Sequence, residues 1–171
     1  MKSPMGVEVQ RVQAAQWQEL RELRLRALAD TPEAFASTLS RETAFPDDIW
    51  RQRARGGPAS ANFIARADGL AIGLAAVIAE PDPGRLQLAG MWVDPRQRRR
   101  GVARALIGQA VRWSRDHQAR ELIAWVAEPN TVARRLYARS GFWPTGARQP
   151  LPSNPAVNEL LLRLPLAPAG T

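Results

Sequence analysis

The chain has 171 residues, 45% of them apolar, and a net charge of +8. That is long enough to bury one core and basic enough to favour anionic partners. It has no cysteine and one histidine, His117, which excludes disulfides, a thiol nucleophile and a multi-histidine metal centre. The apolar runs at 70–79 and 160–166 are shorter than the ~20 residues that span a bilayer. The N-terminus has no apolar leader. The expectation is therefore one cytoplasmic domain over 1–171, structured over about 7–166, with a frayed tail at 167–171.

Residues 7–12 alternate in part and predict a first strand. Residues 14–30 follow as an amphipathic helix, with Trp17, Leu20, Leu23 and Ala27 on one stripe. Thr31-Pro32-Glu33 reads as a capped helix restart, and 34–43 as a short helix or a loop. Phe45-Pro46-Asp47-Asp48 opens a further helix to about Arg55, which Gly56-Gly57-Pro58 ends. Residues 61–67, 70–80 and 86–93 then form a three-strand meander, turning at Asp68-Gly69 and at 81–84.

Residues 86–106 are the most informative stretch. An apolar strand stops at Asp94-Pro95, since proline lacks the N–H a ladder needs. Residues 96–100 carry four arginines, Gly101 allows close backbone approach, and a helix opens at Val102. A helix N-terminus ringed by arginines is an anion site, and a pyrophosphate is the expected occupant. The helix runs to about 118. Residues 121–127 are apolar on both faces and predict a central strand beside a parallel neighbour. Asn130 or Thr131 caps a helix to about Arg139, and Gly141 sits where a left-handed terminator belongs. Residues 142–145 predict a short strand, 149–155 a loop and 157–164 a last strand.

This order, with two local motifs, resembles the GNAT (GCN5-related N-acetyltransferase) superfamily over most of the chain. The first motif is Arg98-Arg99-Arg100-Gly101-Val102-Ala103, matching Gln/Arg-x-x-Gly-x-Gly/Ala after the strand ending at Val93. The second is Asn130, then Ala133-Arg-Arg-Leu136-Tyr137, then Gly141-Phe142. The resemblance implies an α/β (α+β) fold. Its sheet is mixed, mainly antiparallel and six- to seven-stranded, splayed in the middle, with helices on both faces.

It also implies acetyl-CoA as co-substrate, with no metal and no covalent intermediate, which suits a chain without cysteine. Arg98, Arg99, Arg100, Gly101, Val102, Ala103 and Arg104 would hold the pyrophosphate. Met91, Trp92 and Val93 would offer backbone groups to pantetheine beside a bulge at Gly90. Asn130 would bond pantetheine or cap its helix, or do both. Tyr137, the only tyrosine, would protonate the leaving thiolate; as an alternative, it is a partly buried helix residue. Residues 86–93 contain no acid to serve as general base. The candidates are Glu42 on the covering segment and Glu80 through water, with a neutral arriving amine as the third reading. Phe35, Ser37, Thr38 and Glu42 would line the acceptor pocket.

The partners implied are acetyl-CoA and an amine acceptor, small molecule or protein, with no membrane. A homodimer through the last strands is common among similar proteins. Two alternatives stay open: a non-catalytic acyl-CoA-binding sensor, and an arginine-rich nucleic-acid binder, against which stands the lack of any helix-turn-helix, zinc or RNP pattern. The six tryptophans read as core, with Trp50 and Trp143 flanking loops near the acceptor side. His117 reads as a residue in the last turn of its helix, where a cation complements the dipole.

Overall fold

The computed structural model describes residues 6–166. The strands are β1 (Glu8–Arg11), β2 (Ala61–Ala67), β3 (Leu70–Ala79), β4 (Arg85–Val93), β5 (Glu121–Ala127), β6 (Trp143–Leu151) and β7 (Asn154–Pro165). They form one seven-stranded sheet in the order β1-β2-β3-β4-β5-β7-β6. Only β4 and β5 are parallel; every other neighbouring pair is antiparallel. The helices are α1 (Trp17–Asp30), α2 (Leu39–Thr43), α3 (Asp47–Arg55), α4 (Val102–Asp116) and α5 (Thr131–Arg139).

The two sheet faces bury different residues, because strand side chains alternate. On one face Phe63, Leu88, Leu122 and Leu162 pack under Leu106 of α4 and Tyr137 of α5. On the other, Ile64, Leu74 and Trp92 pack under Leu20, Leu23 and Leu28 of α1 and under Phe35. Each fully buried side chain of this size is worth about 1.5–3 kcal/mol. The β2–β3 turn has φ of +49° at Asp68 and +78° at Gly69, the positive values a two-residue hairpin of primed type requires.

Three local expectations differ from the structure. The segment 149–155 is not a loop: β6 continues through Leu151, and the hairpin turns at 152–153. Pro144 and Pro150 are tolerated because β6 is an edge strand, where a missing N–H can face solvent. Thr31 does not cap the turn after it; its hydroxyl reaches back to the Ala27 carbonyl at 3.5 Å. Helix α4 stops at Asp116, two residues early, because Gln118 turns left-handed at φ +58°. The tail expected at 167–171 lies outside the described residues. Among the described residues, no helix is long and apolar enough to cross a membrane.

Candidate active site

The site grows from a gap in the sheet. β4 and β5 pair only at Arg85–Glu121, Leu86–Leu122 and Gln87–Ile123. Beyond these, β4 runs on to Val93 and β5 to Ala127 without each other. The cause lies on the opposite edge of β4. Trp92 pairs with Leu74 but Ala89 pairs with Ala76, so three steps of β4 oppose two of β3. This bulge includes Gly90 at φ +61°, which only glycine adopts at little cost. A bulge bends and twists its strand, and here it turns the end of β4 away from β5.

The backbone at that end is partly committed. Asp94 donates its N–H to the Ile72 carbonyl at 2.8 Å. By the alternation of an antiparallel ladder, Trp92 then points its polar groups at β3, while Met91 and Val93 point theirs at the gap. Of the three expected backbone contacts, Trp92 therefore faces the wrong way. The Val93 carbonyl already accepts Arg98 Nε at 3.0 Å, which leaves the Val93 N–H as the open donor.

The turn from β4 to α4 is anchored and then left open. Asp94 accepts the Arg96 N–H at 2.9 Å and Arg26 Nη2 at 2.6 Å. Asp30, at the end of α1, accepts Trp92 Nε1 at 2.9 Å and Arg98 Nη2 at 2.5 Å. The Trp92 hydrogen bond, with a further one and a charge from Arg98, holds Asp30 below the usual carboxylate range against the opposing effect of burial. The Arg98 side chain thus ties the turn to α1. Arg99 and Gly101 are left-handed, at φ +63° and +81°. Gly101 caps α4 without a side-chain acceptor, so the N–H groups of Val102, Ala103 and Arg104 have no side-chain cap. The intrahelical ladder begins only when Ala105 donates to the Gly101 carbonyl at 3.0 Å. Arg99, Arg100 and Arg104 are exposed around these donors. A cradle of this kind fits the phosphates of a coenzyme A moiety.

Helix α5 begins at the free end of β5. Asn130 caps it, Oδ1 accepting the Ala133 N–H at 3.1 Å. Gly141, at φ +91°, ends it, and the Phe142 N–H returns to the Tyr137 carbonyl at 3.0 Å. Tyr137 is buried and meets Phe142 edge to face at 5.2 Å. Burial pushes its phenol well above the ordinary range.

The other sheet face carries the covering segment. Phe35 is buried, and its carbonyl accepts Ser153 Oγ from the β6–β7 turn at 2.5 Å. The two segments thereby close over the same side of the gap. Ser37 Oγ is buried with no partner among the described residues. Thr38 is exposed and caps α2, accepting the Arg41 N–H at 3.3 Å. Glu42 is 1% exposed and held by Arg24 Nη2 at 2.9 Å, Arg24 Nε at 3.1 Å and Arg53 Nη1 at 2.9 Å. Burial opposes its charge, but the two guanidiniums more than offset that and hold its carboxyl below the usual range. Arg24 also backs the bulge: a Cβ on Gly90 would lie 3.2 Å from its Nη1. Glu80 sits beside Arg85, at the joined end of β4 and far along that strand from Val93. Trp50 is fully buried, Trp143 is exposed, and His117 stacks on Trp113 at 3.8 Å.

One residue was missed from the sequence. Glu159 of β7 is 5% exposed and sits opposite Ala127 of β5 and Gln149 of β6. The available signal was its place at the head of Leu160-Leu161-Leu162. A strand apolar on both faces buries any acid it contains.

A family model described as "Acetyltransferase (GNAT) family" matches residues 17–142. Aminoglycoside N(6')-acetyltransferase type 1 of Salmonella typhimurium is 35% identical over 89 residues, which is 48% of this chain and 61% of that protein. The chain thus spans less than two thirds of that relative. L-amino acid N-acetyltransferase AaaT of Escherichia coli is 30% identical over 125 residues, 69% of this chain and 74% of that one. In fold, the chain matches yncA from Salmonella typhimurium, solved with its cofactor acetyl-CoA. The TM-score is 0.75 at 17% identity, over 96% of each chain.

Proposed function

The chain belongs to the acetyltransferase (GNAT) family, and on that premise we propose that it moves the acetyl group of acetyl-CoA to a primary amine by direct attack. The observation that carries the reading is the gap itself. A strand pair of three residues opens at a glycine bulge, directly beside a helix N-terminus with no side-chain cap. Acetyl-CoA, when bound, supplies the thioester whose acetyl carbon the amine attacks and whose C–S bond then breaks.

The chain's own residues divide the work. The N–H groups of Val102, Ala103 and Arg104 take the pyrophosphate, with Arg99 and Arg100 adding positive charge. Gly101 supplies the left-handed turn that gathers these donors. Arg98 holds the loop to α1 and the Val93 carbonyl, so its contribution is position. Met91 and Val93 face pantetheine with backbone groups, and the Val93 N–H is the donor for a carbonyl oxygen. Asn130 keeps its cap bond on Oδ1 and offers Nδ2 to the ligand.

Tyr137 donates to the departing sulfur. Its raised pKa keeps the phenol protonated throughout the working range. A thiol titrates near ~8.5, so complete transfer from so weak an acid runs uphill, and hydrogen bonding to the developing thiolate is the larger part of the effect. Glu42 serves as the buried anchor of Arg24 and Arg53, which shapes the floor under the bulge, and its lowered basicity suits that better than proton abstraction. Phe35 and Ser37 line the acceptor side. The acceptor is a small amine, the class to which the aminoglycoside and amino-acid acceptors named for the relatives belong.

The test is thiol release from acetyl-CoA against aminoglycosides, amino acids and polyamines, after a thermal-shift titration with acetyl-CoA. A rise in Tm with acetyl-CoA and turnover of at least one amine is expected, because a ligand bound only by the folded state raises Tm. A shift without turnover of any amine leaves a sensor. No shift at saturating acetyl-CoA overturns the donor site.

A further inference from the structure

Glu159 is a buried carboxylate that the donor machinery does not use, and its position follows from the ladder. Leu162 pairs with Ala124 and Leu160 with Val126, and Ala124, Val126 and Leu162 belong to the core under α4 and α5. Glu159 and its partner Ala127 therefore project from the opposite face. That is the face of α1, Phe35 and the covering segment, where the turn at Pro32–Ala34 packs against β5. The cofactor-facing groups, α4 and Tyr137, lie on the other face. Donor and acceptor thus approach the gap from opposite sides, and Glu159 is on the acceptor's side.

The reach is short. Ala127 is the last residue of β5, on the part of that strand β4 has left. Adjacent strands lie about 4.8 Å apart, so the Glu159 side chain has to cross a single strand to enter the gap. The residue in its way is alanine. The carboxylate is half satisfied: Oε1 accepts Gln149 Nε2 at 2.7 Å, while Oε2 has no hydrogen bond among the described residues and is not among the side-chain atoms sealed from solvent.

Its neighbours in the sheet carry no charge: they are Gln149 on β6, Ala127 and Trp125 on β5, and Leu161 on β7. The turn that packs against β5 on this face carries one acid, Glu33. The charges on adjacent residues, Glu128 and Arg148, pair with each other at 3.4 Å, and Arg163 farther along β7 pairs with Glu121 at 3.4 Å. Burial raises the carboxyl above its ordinary value, with the Gln149 bond pulling the other way. A carboxylate moved toward neutrality is a better base for an ammonium at neutral pH.

We propose that Glu159 is the general base of the acetyl transfer, taking a proton from the acceptor ammonium on Oε2. The inference rests on the acetyltransferase reading above and supplies the acid–base partner that β4 lacks. The nitrogen loses two protons in all. The first passes to Glu159 and leaves an amine with a free lone pair. The N–C bond then forms and the C–S bond breaks, with Tyr137 donating a hydrogen bond to the developing thiolate. The second nitrogen proton reaches the sulfur through solvent, and Glu159 returns the first to bulk water.

The experiment is the pH dependence of kcat/KM for the best amine of the panel, in wild type, Glu159→Gln and Gln149→Leu. Wild type shows an acidic limb set by a carboxyl of raised pKa. Glu159→Gln loses roughly 10²-fold in kcat/KM at neutral pH and loses that limb, which is the lower end of what general-base catalysis contributes. Its acetyl-CoA thermal shift is retained, since the donor face is untouched. Gln149→Leu removes the bond that favours the charged form, so the limb moves to higher pH; this variant carries the test if Glu159→Gln does not fold. An unchanged limb and rate in both variants, with wild type active, overturns the assignment and leaves the acetyltransferase reading standing. A wild type that binds acetyl-CoA and acetylates no amine overturns both.

Discussion

Glu42 and Glu159 are buried to nearly the same depth, at 1% and 5% exposure, yet their environments push them in opposite directions. Glu42 faces two guanidiniums, which saturate both its oxygens. Glu159 faces one amide, which occupies one oxygen. Burial disfavours the charged form of each, and only Glu42 has positive charges to reverse that. Burial alone therefore does not distinguish a structural acid from a reactive one. The number and charge of the groups facing it do.

The sharpest way to break this contrast is Glu42→Gln. Removing one member of a buried charge cluster leaves Arg24 and Arg53 without their counter-ion. A loss of about 3 kcal/mol in urea unfolding is expected. Because the folded carboxyl is held below its unfolded value, this stabilisation is complete above about pH 4.3 and disappears as pH falls through the folded pKa. The gap between wild type and variant should therefore be constant from pH 8 to 5 and close below pH 4. A flat difference down to pH 2 would deny Glu42 its ionised, paired state.

Tyr137→Phe comes next. It keeps the ring packed on Phe142 and removes only the hydroxyl. A fall of about 10- to 100-fold in kcat, or roughly 1.4–2.7 kcal/mol of barrier, is expected. The KM for acetyl-CoA and the Tm should change little, and turnover equal to wild type would remove the hydroxyl from the chemistry.

The smallest effect is on the stability of Glu159→Gln, and its sign is the opposite of Glu42→Gln. A carboxyl raised in the folded state binds its proton more tightly there than when unfolded. It therefore stabilises the fold at low pH, and that contribution is lost as pH rises past its unfolded value toward its folded one. The neutral variant should be more stable than wild type at pH 7–8 by up to about 1 kcal/mol, and equal to it below pH 4. Thermal unfolding at both pH values reads the difference, and a destabilised variant at pH 8 would place an unseen positive partner beside Glu159.

Much of this protein was legible in its residues. The spans 61–67 and 121–127, the left-handed glycine at 141 and the cradle opened by Gly101 follow from local rules: apolar pattern, turn chemistry and helix ends. These rules act over a few residues, and the chain states them in order. The seven-stranded splayed sheet was readable because two motifs and the element order agreed with a known superfamily. What the chain could not state was how each acid would be partnered. Glu42 meets Arg24 and Arg53 from two other helices, 18 and 11 residues away in sequence. Glu159 meets Gln149 and Ala127 across two strand ladders. The direction of the Trp92 backbone depends on a one-residue bulge whose consequence appears only in the register with β3. Sequence alone placed the start of α4 and its left-handed glycine, because a helix N-terminus and its glycine are local. Only the tertiary structure separated the structural carboxylate from the candidate base, because charge state depends on what packs against a group, and that is set by residues far along the chain.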